Sequence, residues 1–401
     1  MHLYCRYVLP LLLVSAVAAR AQLTLPEAIA TALARHPELA SARHKIEAAT
    51  GRAVQARLWP NPELELSTED GPADSGGFAP SKKLIGLSQT VPFPGKKELD
   101  AHIGAKEVTV TEWEYRGRAS ELVRDVKTAF YQVLAAQQKL AVAEQLAALA
   151  QSTATATRKR VEAGAAGDQE QLRAEIEQER VAVELTTIRS ELATARETLR
   201  TLVGRTGDLV GELPTHVTRP ALDLTRHPAL RAANANREKA ELELRRAKLE
   251  PMPDVRFGLA AGRNTAEHES VLELRVSVPL PIFDRAQGRK REAQALREIA
   301  RCDLSATELR LTRELNLIDE RLRTAGEQVE AYRLRILPKA EAATRLVRTG
   351  FESGKFGLLD MLDTQRTTAE VRLAYYDKLL ELNTAQAELE ALVAVDEKGT
   401  K

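Results

Sequence analysis

The sequence predicts a mainly α-helical protein with a β-barrel part: a duplicated unit whose long helical hairpins accompany four strands per chain. Three observations predict it. Four sequence marks recur in one order about 190 residues apart. A proline-free stretch rich in alanine, leucine, glutamate and arginine runs from 95 to 162. Two pairs of short segments lie between proline marks, and the second pair alternates with period two.

The marks define the repeat. Arg35-His36-Pro37-Glu38-Leu39 returns as Arg226-His227-Pro228-Ala229-Leu230 at an offset of 191, and Leu58-Trp59-Pro60-Asn61-Pro62 returns as Leu249-Glu250-Pro251-Met252-Pro253 at the same offset. Val91-Pro92-Phe93-Pro94 returns as Val278-Pro279-Leu280-Pro281 at 187, and Val161-Glu162-Ala163-Gly164 as Phe351-Glu352-Ser353-Gly354 at 190. The expected domains are a signal segment 1–21, a first repeat 22–210 and a second repeat 211–401.

Each repeat reads alike. A short helix opens with Thr24 as N-cap, Pro26 in its first turn and Glu27 three residues after the cap. His36-Pro37 ends it, because the residue before proline is pushed out of the helical region. A second helix runs from about Glu38 to Leu58. Strands are expected at 61–68 and 84–92, then at 254–262 and 270–278. Val255, Phe257 and Leu259 oppose Arg256 and Gly258, while Leu272, Leu274, Val276 and Val278 oppose Glu273, Arg275 and Ser277. The 69–83 loop is rich in Gly, Pro, Ser and Asp. The first hairpin covers 95–203 with its tip at 163–168; its rising helix is roughly 100 Å long. The second hairpin covers 286–395 with its tip at 353–358, and Pro338 marks a kink or break in it. The return helices and the short helices 38–58 and 229–250 have lengths that let them stack in tandem beside the long ones.

Composition narrows the function. The chain has 401 residues, 29% charged, 44% hydrophobic and only 4% aromatic, with net charge +1. No basic excess points to nucleic acid. Two cysteines, Cys5 and Cys302, exclude a disulfide framework and a multi-cysteine zinc site. Arg6, the apolar run Val8 to Ala18 and Ala19-Arg20-Ala21 read as a secretory signal with cleavage before Gln22. The mature chain then has one thiol, Cys302, expected to be inert and buried on a helix. No later run is long and apolar enough for a spanning helix, so a membrane role needs strands. Four strands cannot close a barrel alone; a dimer would supply eight and a trimer twelve. The scattered histidines, among them His36 and His227 before prolines, suit turns better than metal ligation. No nucleophile elbow, phosphate loop or zinc-protease motif is present, so neither an enzyme nor a cofactor is expected. Trp59, Phe93 and Phe283 flank the strands and suit either an interfacial anchor or plain packing.

These residues together resemble the TolC family of outer-membrane efflux proteins over essentially the whole mature chain. The resemblance rests on Leu23-Thr24-Leu25-Pro26-Glu27-Ala28-Ile29 with the Arg35–Leu39 mark, on the proline-flanked strand pairs, and on two helix tips. The tips are Arg160-Val161-Glu162-Ala163-Gly164 followed by Leu172-Arg173-Ala174-Glu175, and Phe351-Glu352-Ser353-Gly354 followed by Leu358-Leu359-Asp360-Met361-Leu362-Asp363. Gln89-Thr90-Val91-Pro92-Phe93-Pro94-Gly95-Lys96 looks like the cobalt-zinc-cadmium resistance branch. The resemblance implies a homotrimer with a twelve-stranded barrel in outer-membrane lipid and a helical tunnel through the periplasm. It implies docking to a periplasmic adaptor and an inner-membrane pump, and a passive exit duct, with heavy-metal cations as one substrate class. A type I protein-secretion duct shares the architecture. A periplasmic adaptor is a further alternative, disfavoured by the two hairpins, each preceded by a strand pair.

Asp360 and Asp363 stand one turn apart on one helix face. Helix-start stabilisation explains them adequately; in the family pattern these positions line the periplasmic entrance, where threefold rings of carboxylates would form a cation-sensitive channel gate. Gly164, Ala165, Ala166 and Gly167, with Gly354, Lys355, Phe356 and Gly357, are expected either to dock the adaptor or to make tight turns, and both can hold together. Asp168-Gln169-Glu170 stands where the second tip has Leu358-Leu359-Asp360, so the two tips would meet an adaptor differently.

Overall fold

The short opening helix forms as its first residues dictate. The Thr24 N–H donates to Glu27 Oε2 at 3.1 Å, one half of a capping box. Helix α1 (Leu25–Arg35) then stops at His36, whose extended backbone caps α2 (Pro37–Arg57). The computed structural model describes residues 22–69, 82–205, 207–218, 223–265 and 267–393. The signal segment and most of the 69–83 loop lie outside them.

In chain order, β1 (Gln22–Leu23), α1 and α2 precede β2 (Glu63–Glu69), β3 (Lys82–Val91), α3 (Lys96–Glu162) and α4 (Asp168–Val203). Then come β4 (Asp208–Leu209), α5 (Pro228–Lys248), β5 (Val255–Asn264), β6 (Glu269–Ser277), α6 (Gln287–Ala331), α7 (Leu337–Glu352) and α8 (Leu358–Val393). The chain separates into two compact units, and each draws on both sequence repeats. One contains Asp125–His216 and Glu327–Thr384 with the N-terminal segment up to Ala34; the other contains Arg35–Arg124, Val217–Gly326 and Ala385–Lys401.

The first unit is helical. On α4 the buried residues are Ala174, Val181, Ile188, Leu192, Leu199 and Val203, a spacing of sevens and fours. That is the 3.5-residue seam of a helix packed along its length. Val126, Phe130 and Val133 of α3 and Leu379, Leu382 and Leu389 of α8 are buried too; Leu389 lies beyond this unit's boundary. Asn383 is buried with its amide donating to the Pro214 carbonyl at 2.9 Å and the Leu379 carbonyl at 2.7 Å, so its polar group is satisfied. A two-residue parallel pair, Gln22↔Asp208 and Leu23↔Leu209, was not expected from sequence. Two residues carry no period, so only the pairing reveals them. Pro338 does not simply kink a continuous helix. It sits in the first turn of α7 after a π-helical stretch, Tyr332–Ile336, whose wider turn takes up the space and the hydrogen bond that the proline ring removes.

The second unit joins helices to a sheet. Cys302 on α6 is exposed, correcting the expectation of a buried thiol. The apolar stripe of α6 runs through Ala293, Ala300, Leu311, Ile318, Leu322 and Ala325, and residue 302 falls on the face opposite it. A Cβ at Gly104 would stand 2.9 Å from the Ala53 Cα, so α2 and α3 cross at backbone distance there. His227 caps α5, its Nδ1 accepting from the Ala229 N–H at 3.1 Å. Burial, and then the nearby Arg310, push its pKa below the ordinary 6.5. The folded state therefore holds fewer protons than the unfolded state just below neutrality, and stability falls as pH drops through 6.5 and below. Protonation also removes the cap acceptor, worth about 1 kcal/mol. Thermal melting of the detergent-solubilised chain is expected to drop between about pH 7.5 and pH 5.5. His227→Asn, which keeps an acceptor but does not titrate, is expected to flatten that dependence.

The sheet is antiparallel in the order β2-β3-β5-β6. Its strands outrun the apolar alternation at the far end, because the ladder continues through Lys82, Lys83, Arg263 and Asn264. At the near end β2 starts only at Glu63, since Pro62 has no N–H to give. Register puts the apolar residues on one face in rows: Leu64, Leu87, Leu259 and Leu274, then Leu66, Ile85, Ala261 and Leu272. These rows are exposed, Leu274 by 77% and Leu66 by 74%. The other face is polar and cross-linked. Ser88 donates to Glu65 at 2.8 Å, Arg256 to Glu63 at 3.0 Å, Lys82 pairs with Glu273 and Glu69, and Arg275 lies 3.6 Å from Glu65. At the helix-proximal end, Gly95 turns the chain with φ +87°. Buried Lys96 meets Asp254 at 2.9 Å, and the Phe93 N–H donates to the same oxygen at 2.8 Å. Partial burial works to raise the Asp254 pKa, but Lys96 and the Phe93 N–H outweigh it and hold the carboxyl below its usual range.

Candidate gate and docking site at the helix tips

The two tips share one backbone solution. Gly164 and Gly354 have φ of +71° and +72°, where a side chain would be strained. At the first tip the Gly164 N–H donates to the Val161 carbonyl at 2.9 Å and the Ala165 N–H to Arg160 at 2.7 Å. At the second, the Gly354 N–H donates to Phe351 at 3.1 Å and Lys355 to Gly350 at 2.7 Å. Both are Schellman closures, which satisfy the last carbonyls of α3 and α7. The ends of all four helices share one apolar cluster of Ala154, Ala174 and Leu358, with Phe351 and Leu362 against it. The Arg160 guanidinium lies 5.7 Å from the centre of the Phe351 ring, which brings the two tips together.

The side chains differ where the backbones agree. In the second tip the Phe356 ring folds back onto Gly350, and a Cβ at 350 would overlap it. Arg160 stands at the matching place in the first tip and Ala166 replaces the phenylalanine, so that seat is missing. Gly164, Ala165, Gly167, Gly354, Lys355, Phe356 and Gly357 are exposed, and Ala166 is half-buried.

Asp360 and Asp363 lie on the first turns of α8, both exposed. Asp360 Oδ2 accepts from the Gly357 N–H at 3.0 Å, satisfying an orphan donor at the helix start. It has no ion-pair partner among the described residues. Asp363 Oδ1 accepts from Arg366 Nη2 at 2.9 Å, and Arg366 also reaches Glu370 at 3.6 Å. The two carboxylates therefore differ: one is held by backbone alone, the other is balanced by a guanidinium. At the repeat offset, Glu170 and Arg173 stand where the second tip has Asp360 and Asp363. Sequence reading missed the Phe356 seat and the Arg366 partner. An arginine three residues after Asp363 was a legible signal for the second; nothing in a lone helical glycine signals the first. Among the described residues no group of three or more His, Cys, Asp or Glu is placed to hold a metal ion. No described helix is long and apolar enough to cross a membrane, which says nothing of strands.

The family model for outer membrane efflux proteins matches residues 28–205 and 220–395. The chain is 28% identical over 364 residues to the cobalt-zinc-cadmium resistance protein CzcC of Cupriavidus metallidurans, covering 88% of this chain and 85% of that one. Its fold is that of a membrane protein from Pseudomonas aeruginosa, with TM-score 0.81, 20% identity and 92% of each chain covered. It is also that of the open-state MtrE outer membrane channel of Neisseria gonorrhoeae, with TM-score 0.80, 19% identity and coverage of 92% and 88%. A match over both halves of the chain, on a fold of long helices with a four-stranded sheet, places it: the chain belongs to the outer membrane efflux protein family, the TolC-type channels that its tips and proline marks resemble.

Proposed function

We propose that the protein is the passive outer-membrane duct of a tripartite efflux system, that its exported substrates are heavy-metal cations, and that it catalyses no reaction. The observation that carries the duct is the sheet. One face is apolar and exposed through its middle rows, the other carries a polar network, and β2 and β6 are open edges among the described residues. An apolar sheet face is stable in lipid only when its edges close. Three copies give twelve strands, apolar side outward and polar side to the lumen. The duplication 22–210 and 211–401 then supplies two hairpins per copy to a periplasmic tunnel. Gly164–Gly167 and Gly354–Gly357 form the surface for a periplasmic adaptor, which links the duct to an inner-membrane pump. The name of the CzcC relative supports the metal substrate.

Asp360 and Asp363 form the gate in this reading. With Arg366 balancing Asp363, the uncompensated negative charge at the entrance comes from Asp360. Rings of carboxylates favour cations and bind divalent ones. In planar bilayers, Asp360→Asn is expected to weaken divalent-cation block several-fold, and Asp363→Asn to do so less. Asparagine keeps the acceptor for Gly357, so the helix start survives. Unchanged block in the double variant would remove the gate role and leave both residues as helix-start stabilisers.

A further inference from the structure

The exposed apolar face of the sheet does not fade into solvent; it ends in a single row. Register places Thr68 opposite Lys83, Lys83 opposite Arg263, and Arg263 opposite Ser270. All four point to the apolar side and all four are exposed. The row before it is Leu66, Ile85, Ala261 and Leu272, with no polar atom in any side chain. One step of about 7 Å along the strands thus passes from hydrocarbon to two hydroxyls, an ammonium and a guanidinium.

The pairing of Lys83 with Arg263 is unfavourable on its own. Like charges directly opposite across two strands sit about 5 Å apart and repel. Neither makes an ion pair among the described residues. On the polar face one residue away, Lys82 is paired with both Glu69 and Glu273, so the sheet neutralises a cation where it faces the network and leaves two unneutralised where it faces outward. Gly262 lies opposite Leu84, and a Cβ there would overlap the Lys83 carbonyl, so β3 and β5 meet at backbone distance beside the pair.

Topology fixes which end this is. β3 leads through Gly95 into α3, and α2 and α5 precede β2 and β5, at the opposite end from the row. The row lies at the end where β5 turns into β6, farthest from the helices. From Arg263 back to Val255 is eight residues, about 27 Å of strand, which at a barrel tilt of about 40° rises about 20 Å, close to the height of an outer-membrane apolar band.

We propose that Lys83 and Arg263 bind the phosphate of an anionic glycolipid in the outer leaflet, one site per copy, with Thr68 and Ser270 at the two ends of the row donating to its sugar headgroup. The inference rests on the barrel reading, which sets the apolar face against lipid. Two adjacent cations with no carboxylate in their row suit a phosphate, and the apolar rows beneath receive its acyl chains.

The test is native mass spectrometry of the full-length protein in detergent with lipid A, bis-phosphorylated or fully dephosphorylated. The wild type is expected to retain the phosphorylated lipid about tenfold more, and less so as ionic strength rises. K83Q/R263Q is expected to lose that preference, and K83R/R263K to keep it, which separates charge from fold. Equal retention of the two lipids by the wild type, or an unchanged preference in K83Q/R263Q, overturns the site while the protein still enters bilayers as an oligomer. A wild type that does not enter bilayers overturns the barrel reading and the site with it.

Discussion

Replacing Leu259 and Leu274 together by arginine is expected to abolish assembly in the outer membrane. These two residues face each other across β5 and β6 in the middle of the apolar face, and both are exposed in the chain by itself. An arginine at the bilayer midplane of a β-barrel costs about 2–4 kcal/mol, and each copy would carry two. Closed barrels recur by symmetry, so the cost multiplies with every copy added. The expected result is loss of the heat-resistant oligomer on gels and loss of the protein from the outer-membrane fraction. Ser277→Arg, on the polar face of the same strand, is expected to leave both unchanged. If the paired arginines assemble like the wild type, the apolar face does not meet lipid.

Gly350→Ala is expected to abolish efflux while leaving the oligomer intact. The added methyl group would occupy the seat of the Phe356 ring. Phe356 is 39% exposed at the second tip, and its ring is the largest apolar group in either of the tip sequences proposed to dock the adaptor. In the docking role proposed for the tips, displacing it removes an aromatic anchor of the kind that contributes about 2 kcal/mol or more to an interface, roughly a 30-fold change in Kd. Alanine is a better helix former than glycine, so α7 itself is not weakened. Site-directed crosslinking from Lys355 to the adaptor, read beside metal resistance of the cells, checks the expectation. Wild-type crosslinking in Gly350→Ala would show that the ring's seat is irrelevant to docking; loss of the oligomer would show that the tip serves folding alone.

Much of this architecture was legible because it repeats. Period two in 255–259 and 272–278 is visible in the residues themselves, and the ladder confirms which side each occupies. Gly164 and Gly354 stand where helices must close, and only the left-handed conformation they adopt makes both closures. The illegible features depend on distance rather than spacing. The strand ends overrun their apolar pattern because backbone hydrogen bonds do not depend on side-chain polarity. The π-helical turn before Pro338 is a packing response that a proline alone does not specify. The Phe356 seat needs a ring to fold back six residues. Lys83 and Arg263 are far apart in sequence, and only the register of β3 against β5 makes them one row. Cys302 was misplaced because a cysteine's ordinary preference for burial was read without the helix face it occupies.

The native mass of the protein extracted in detergent from separated outer membranes tests the central claim most directly. Among the described residues, a sheet of four strands with two open edges and an apolar face is complete only in company. The account predicts a trimer in the outer-membrane fraction, with mass three times that of the mature chain. A soluble monomer in the periplasm, or a protein found in the inner membrane, would contradict it.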